Sequence, residues 1–183
     1  MRVISGTARG RRLREPAGMD IRPTTDKVKE SLFSIVQFRV EGARVLDMFA
    51  GTGQLGIEAL SRGAAEAVFL ESSPVSARIV AENLRLTGLS DRAQLIRGDS
   101  LRTVRACGRF DLIFIDPPYD TELARQAVET IIAFDILKEN GIMICETRVD
   151  YKTPEASGPY EKRKEYRYGR IMLTKYGRLS SEE

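Results

Sequence analysis

The sequence predicts an α/β fold: a Rossmann-like, doubly wound and mostly parallel sheet of about seven strands in three α/β/α layers, with a C-terminal antiparallel hairpin. From Arg44 onward, short apolar runs alternate with amphipathic stretches, and a glycine turn, Gly51-Thr-Gly53, follows the first of those runs. After Tyr160 the alternation stops and two strand-like segments flank a turn at Tyr168-Gly169. Parallel neighbours need crossover connections, so strand and helix in alternation imply a parallel sheet, and a closing hairpin implies antiparallel strands at its end. A chain of 183 residues suits one such domain with a sizeable core.

The elements follow in order. Val3, Ile4 and Leu13 surround Gly6 and Gly10 in an arginine-rich opening that reads as a short hairpin or a flexible arm. After Pro23, Thr24 or Thr25 is placed to cap a helix whose apolar positions Val28, Leu32, Ile35 and Val36 recur at helical spacing. Residues 1–40 are therefore expected as a basic arm and helix packed on a main domain of residues 41–183. That domain opens with VLDMF, a helix near Gln54 to Arg62, AVFLE and a helix near Val75 to Thr87. It continues with AQLIRGD, a short connection, FDLIFID, a helix near Leu123 to Phe134, and IMICE. Tyr160 to Tyr166 and Arg170 to Tyr176 read as the closing pair of strands.

Composition excludes several classes of function. Hydrophobic residues make up 42% and charged residues 30%, as in ordinary globular proteins. No apolar run approaches bilayer length and the basic opening lacks a following apolar stretch, so a cytoplasmic protein with no membrane partner is expected. Cys107 and Cys145 show no Cys-x-x-Cys spacing and read as core packing. The chain has no histidine, which removes Ser-His-Asp and Cys-His catalysis and His-ligated metals, and no metal is expected. Net charge is only +3, but basic residues gather at the two ends. Arg9, Arg11, Arg12 and Arg14 lie near the start, and Lys162, Arg163, Lys164, Arg167 and Arg170 near the end. Such clusters suit contact with nucleic-acid phosphates, with a solvated surface as the plainer alternative.

The chemistry concentrates at the ends of the expected strands. Asp47-Met-Phe49-Ala-Gly51-Thr-Gly53 ends the first strand of the sheet, where open α/β sheets bind ligands, and a glycine there lets a ligand approach the backbone. With Gly56 it forms a literal G-x-G-x-x-G, which leaves a dinucleotide reading open. Glu71 ends the second strand, placed to accept hydrogen bonds from both ribose hydroxyls of a nucleotide-like cofactor. Asp99 ends the third, placed to receive an adenine amino group. Asp116-Pro117-Pro118-Tyr119 ends the fourth. An exocyclic amine on a base is a poor nucleophile because its lone pair is delocalised into the ring. The Asp116 carboxylate and the Pro117 carbonyl can accept its two N–H bonds and localise that pair, while proline stiffens the turn and Tyr119 can stack on an extruded base.

DMFAGTG followed by DPPY resembles the amino-methyltransferase pattern of a cofactor loop preceding an (Asp/Asn/Ser)-Pro-Pro-aromatic loop. More closely, VISGTARGRRL, RPTTDKVKESLF, LDMFAGTGQLGIEALSRGA and FIDPPY resemble the RsmD family of small-subunit ribosomal RNA guanine-N2 methyltransferases. The resemblance implies S-adenosyl-L-methionine as donor, S-adenosyl-L-homocysteine as product, a guanine of 16S ribosomal RNA in the small ribosomal subunit as acceptor, and a monomeric enzyme. It also implies roles for residues. Asp47, Phe49, Gly51, Gly53, Ser72 and Ser100 would meet the cofactor, with Glu71 on its ribose and Asp99 on its adenine. Asp116, Pro117, Pro118 and Tyr119 would hold the guanine. Arg22, Pro23 and Thr24 would help close the site, with Thr24 towards the cofactor and Arg22 towards RNA. Three rivals stay open: a nicotinamide-dependent oxidoreductase on the same glycine turn, a non-catalytic RNA-binding or assembly protein, and a methyltransferase acting on adenine N6 or cytosine N4 of RNA or DNA.

Overall fold

The computed structural model describes residues 1–16, 26–119 and 122–179. Its seven strands are β1 (Arg44–Asp47), β2 (Glu66–Glu71), β3 (Ala93–Arg97), β4 (Phe110–Ile115), β5 (Leu137–Arg148), β6 (Tyr160–Tyr168) and β7 (Ile171–Arg178). They form one sheet in the order β3-β2-β1-β4-β5-β7-β6. The first five are parallel, and β7 runs antiparallel between β5 and β6. The order reverses between β1 and β4, which opens a crevice beyond their carboxyl ends, the usual ligand position in such sheets.

Helices α1 (Asp26–Val36), α2 (Gln54–Ser61), α3 (Pro74–Thr87), α4 (Ser100–Thr103) and α5 (Leu123–Ala133) supply the outer layers. Both faces of the central strands are covered, so they are apolar almost throughout rather than alternating, as FDLIFI in β4 shows. Phe33 of α1 and Leu60 of α2 pack with Phe69, Phe114 and Leu173 on one face. Val128 and Ile131 of α5 pack with Phe110, Ile113, Cys145 and Tyr176 on the other. Cys145 is buried there, and Cys107 is half-buried.

Three local outcomes differ from the sequence expectation. Strand β5 is longer than IMICE at both ends: Leu137 already pairs with Phe110 of β4, and β7 pairs along the far end as far as Arg148↔Ile171. The closing turn sits at Gly169-Arg170, since Tyr168 still pairs with Ile171 and Gly169 takes a positive φ of 61°. The connection after Asp99 folds as α4, with the Asp99 side chain accepting from Arg102 N at 3.1 Å.

Of the two readings of the opening segment, the hairpin holds: Arg2 and Arg12 form an antiparallel bridge. It is docked on α2 and α3. The amides of Ile4 and Ser5 donate to the Glu58 carboxylate at 2.8 and 2.9 Å, Thr7 N donates to Ser61 O at 2.8 Å, and Arg14 N donates to Asn83 Oδ1 at 2.7 Å. Gly6 touches α2 so closely that a Cβ would fall 1.8 Å from Ser61 O. Beneath the hairpin, Glu58 and Lys29 are fully buried with Lys29 Nζ 3.5 Å from Glu58 Oε2, and Arg62 closes the group at 2.8 Å. The cap expected at Thr24 or Thr25 lies outside the described residues.

Candidate active site

The loop after β1 is built around Asp47. Its side chain is buried, and Oδ2 accepts from Gly56 N at 2.9 Å, which ties the strand end to the first turn of α2. Burial pushes its carboxyl up to about 7; the Gly56 amide opposes this and the nearby Glu71 charge adds to it. Gly51 and Gly53 have φ of 57° and 78°, the left-handed region, and Gly53 caps α2. Gly56 serves packing instead: a Cβ there would lie 2.3 Å from the Phe69 ring. The G-x-G-x-x-G spacing is thus two turn glycines and one that lets α2 lie against β2. Glu71 joins the neighbouring strand to the loop, accepting from Gly51 N at 2.8 Å and from Ser73 N at 2.7 Å.

A cavity of about 810 Å³ lies over these strand ends. Asp47, Phe49, Gly51, Glu71, Ser72, Asp99 and Ser100 line it, together with Asp116, Pro117, Pro118 and Tyr119. The sequence expectation scattered these residues over four strand ends, and the structure brings them around one space. Gly53 is buried behind the loop rather than on the cavity wall. The wall also includes Met1, Gln54, Leu101 and Leu123, which sequence reasoning missed. Gln54 directly follows the glycine turn, and its Oε1 is buried without a hydrogen-bond partner. Its position gave a signal, but one equally suited to an ordinary first helical residue.

The fourth strand carries the second half of the site. Asp116 is half-buried, Pro117 buried and Pro118 exposed. The Tyr119 hydroxyl donates to Glu146 Oε1 at 2.7 Å, and Glu146 is 2% exposed. The last parallel pair is Ile115↔Cys145, so Asp116 and Glu146 are the next residues on adjacent strands, whose backbones run about 5 Å apart. Burial raises the Cys145 thiol pKa far above its ordinary range, and the Asp116 and Glu146 carboxylates add to that. Beyond Pro117, Pro118 and Tyr119, a second cavity of about 190 Å³ is lined by Glu146, Thr147, Arg148, Asp150 and Tyr151. No motif in the sequence pointed to these five residues.

The pattern of a family described as Conserved hypothetical protein 95 matches residues 1–177. The chain belongs to this family, the RsmD family. YlbH of Bacillus subtilis is 39% identical over 173 residues, covering 92% of this chain and 94% of that protein. The Haemophilus influenzae protein named Ribosomal RNA small subunit methyltransferase D is 38% identical over 161 residues, covering 85% of this chain and 83% of its own. The solved structure of YhhF from Escherichia coli superposes with a TM-score of 0.87 at 30% identity, covering 99% of each chain.

In this RsmD-family chain the basic residues take separate places. Arg9, Arg11, Arg12 and Arg14 are exposed on the docked hairpin, with Arg14 paired to Glu82 at 2.8 Å. Lys162 lies on β6, the outer edge of the sheet, mostly buried and paired with Glu155 at 2.8 Å and Glu165 at 3.4 Å. Arg163 pairs with Glu161, and Lys164 sits over the Tyr166 ring. Arg170, in the closing turn, lines a small opening with Tyr119 and Arg148. Arg22 and Thr24 lie outside the described residues. Among the described residues no group of three or more His, Cys, Asp or Glu side chains is placed to hold a metal, and no helix is long and apolar enough to cross a membrane.

Proposed function

We propose that this chain transfers a methyl group from S-adenosyl-L-methionine to the exocyclic N2 amine of a guanine in small-subunit ribosomal RNA. The observation that carries the proposal is that the glycine loop with Glu71 and the Asp116-Pro-Pro-Tyr119 loop line one cavity. The name of the Haemophilus influenzae relative supports the RNA class.

The residues present fit this donor. About 810 Å³ is within the usual range for a cofactor site. Glu71 retains lone pairs for ribose hydroxyls beyond the two amides it already binds. Asp99, with Ser100, faces the cavity where an adenine amine can be received. The unpartnered Gln54 Oε1 and the buried Asp47 carboxylate are acceptors for an amino acid's ammonium group. When bound, the donor supplies a methyl group on a cationic sulfur.

The chain's own part is orientation. Asp116 and the Pro117 carbonyl accept the two N–H bonds of the amine, which turns its lone pair towards the donor side of the cavity. Pro117 offers a carbonyl and no competing N–H. Tyr119 supplies a ring for the base to stack on. Most of the rate enhancement is expected from holding the reacting atoms in line in a space that excludes water. The amine sheds its proton to Asp116 or to water. Arg9, Arg11, Arg12 and Arg14 on the hairpin, Arg22, and Arg163 and Lys164 at the sheet edge contact phosphates and position an assembled or assembling small subunit, acted on by a monomer, while Lys162 is held by its two carboxylates.

Mass spectrometry of ribosomal RNA from cells with and without the gene tests the proposal, together with methyl incorporation by the purified protein. Loss of one N2-methylguanosine is expected. Loss of a methyladenosine or methylcytidine instead, or no change, overturns it. Calorimetric binding of S-adenosyl-L-homocysteine with none of NAD removes the oxidoreductase rival.

A further inference from the structure

We infer that Glu146 is the residue by which the acceptor site selects guanine, by accepting the ring N–H that lies beside the reactive amine. The inference rests on the guanine-N2 reading above and names the group that enforces it.

The placement comes from the sheet. Asp116 and Glu146 follow the last parallel pair of β4 and β5, so the register sets the two acidic residues side by side where β4 ends and β5 runs on. Asp116 lines the larger cavity and Glu146 the smaller one, and the two cavities share Pro117, Pro118 and Tyr119. The hydroxyl of Tyr119 donates to Glu146 at 2.7 Å, which fixes the carboxylate against the ring expected to carry the base. A second observation points to a polar ligand: Thr147 is 4% exposed, lines the same cavity, and its Oγ1 has no hydrogen-bond partner.

The chemistry then distinguishes bases. In guanine the amine at C2 is next to N1–H, so two adjacent donors meet two adjacent carboxylates. The keto oxygen beyond N1 is an acceptor of the kind that the Thr147 hydroxyl lacks. In adenine and cytosine the ring nitrogen beside the amine is an acceptor, and against a carboxylate it meets repulsion and leaves a buried group unpaired. A site built to receive a substrate N–H discriminates strongly against an analogue without it.

The experiment uses small subunits reconstituted with 16S RNA that carries either guanine or 2-aminopurine at the nucleotide the purified enzyme methylates. 2-Aminopurine keeps the C2 amine but presents N1 as an acceptor. The wild-type protein is expected to favour guanine by about 100-fold or more in kcat/KM. In Glu146→Gln the carboxamide can donate to N1, and the preference is expected to fall below about 10-fold with cofactor affinity unchanged. Equal wild-type rates on the two bases overturn the inference, and so does a Glu146→Gln variant that slows both bases by one common factor. If Glu146→Gln fails to fold, the wild-type comparison still decides through the first of these outcomes. A wild-type enzyme that methylates neither guanine-containing subunits nor free 16S RNA overturns the guanine-N2 reading itself, whereas guanine methylation without discrimination removes only the role of Glu146.

Discussion

Glu71 Oε2 accepts from the Gly51 amide at 2.8 Å, so the residue expected to meet the cofactor ribose also holds the glycine loop in position. Its other oxygen accepts from Ser73 N. Removing the carboxylate therefore loses a ligand contact and loosens the loop together. Glu71→Ala is expected to weaken S-adenosyl-L-homocysteine binding by about 10–100-fold, roughly 1.4–2.8 kcal/mol, in calorimetry. Unchanged affinity removes Glu71 from the site.

Asp47 links pH to both stability and binding. Its carboxyl, pushed up to about 7 in the folded protein, holds a proton more tightly than in the unfolded chain. The folded state thus loses stability from this group as pH rises from about 4 to 7. Asp47→Asn keeps an acceptor for Gly56 N and abolishes that loss. At pH 8 the variant is expected to be more stable by about 1–3 kcal/mol, roughly 2–10 °C in Tm, and the gain should shrink towards pH 5. An ammonium group bound nearby favours the ionised form, so wild-type cofactor affinity should fall as pH drops below about 7, and that dependence should be lost in Asp47→Asn. Thermal melts and calorimetry between pH 5 and 8 check both.

Asp116→Ala is expected to lower methyl-transfer turnover by about 100-fold or more while cofactor affinity changes less than about 3-fold, because Asp116 belongs to the loop after β4 whereas the proposed cofactor contacts follow β1, β2 and β3. Single-turnover assays beside calorimetry give the two quantities. A parallel loss of cofactor binding contradicts its assignment to the acceptor.

Glu58 receives two amides of the N-terminal hairpin and faces the fully buried Lys29. Glu58→Ala leaves that ammonium without its carboxylate and should cost about 3–5 kcal/mol. Urea melts measure the loss, and limited trypsin digestion should release the hairpin at Arg9 to Arg12 earlier than in the wild type. Lys29→Met added to Glu58→Ala should recover part of the stability. Unaltered protection of the hairpin sinks this account of how it is held.

Most of the parallel sheet was legible because each strand is short, apolar and followed by an amphipathic helix, and such local patterns need no partner to be recognised. VLDMF, AVFLE, AQLIRGD and FDLIFID each lie within two residues of β1 to β4. The far end of β5 was not legible, since Thr147 and Arg148 become strand only through pairing with β7. The choice between hairpin and flexible arm was open for a similar reason: nothing near Ile4 and Ser5 in the chain shows that Glu58, over fifty residues away, accepts their amides.

By itself the sequence determined the fold class and which residue types stand at the strand ends, because periodicity, glycine turns and a short tetrapeptide are local properties of a chain. Only the tertiary structure decided that Gly56 serves packing, that Lys162 is paired and mostly buried, and that Glu146 stands beside Asp116 under the hydroxyl of Tyr119. Those facts depend on strand order and register, which are set by burying two apolar faces at once, and no short segment contains that information.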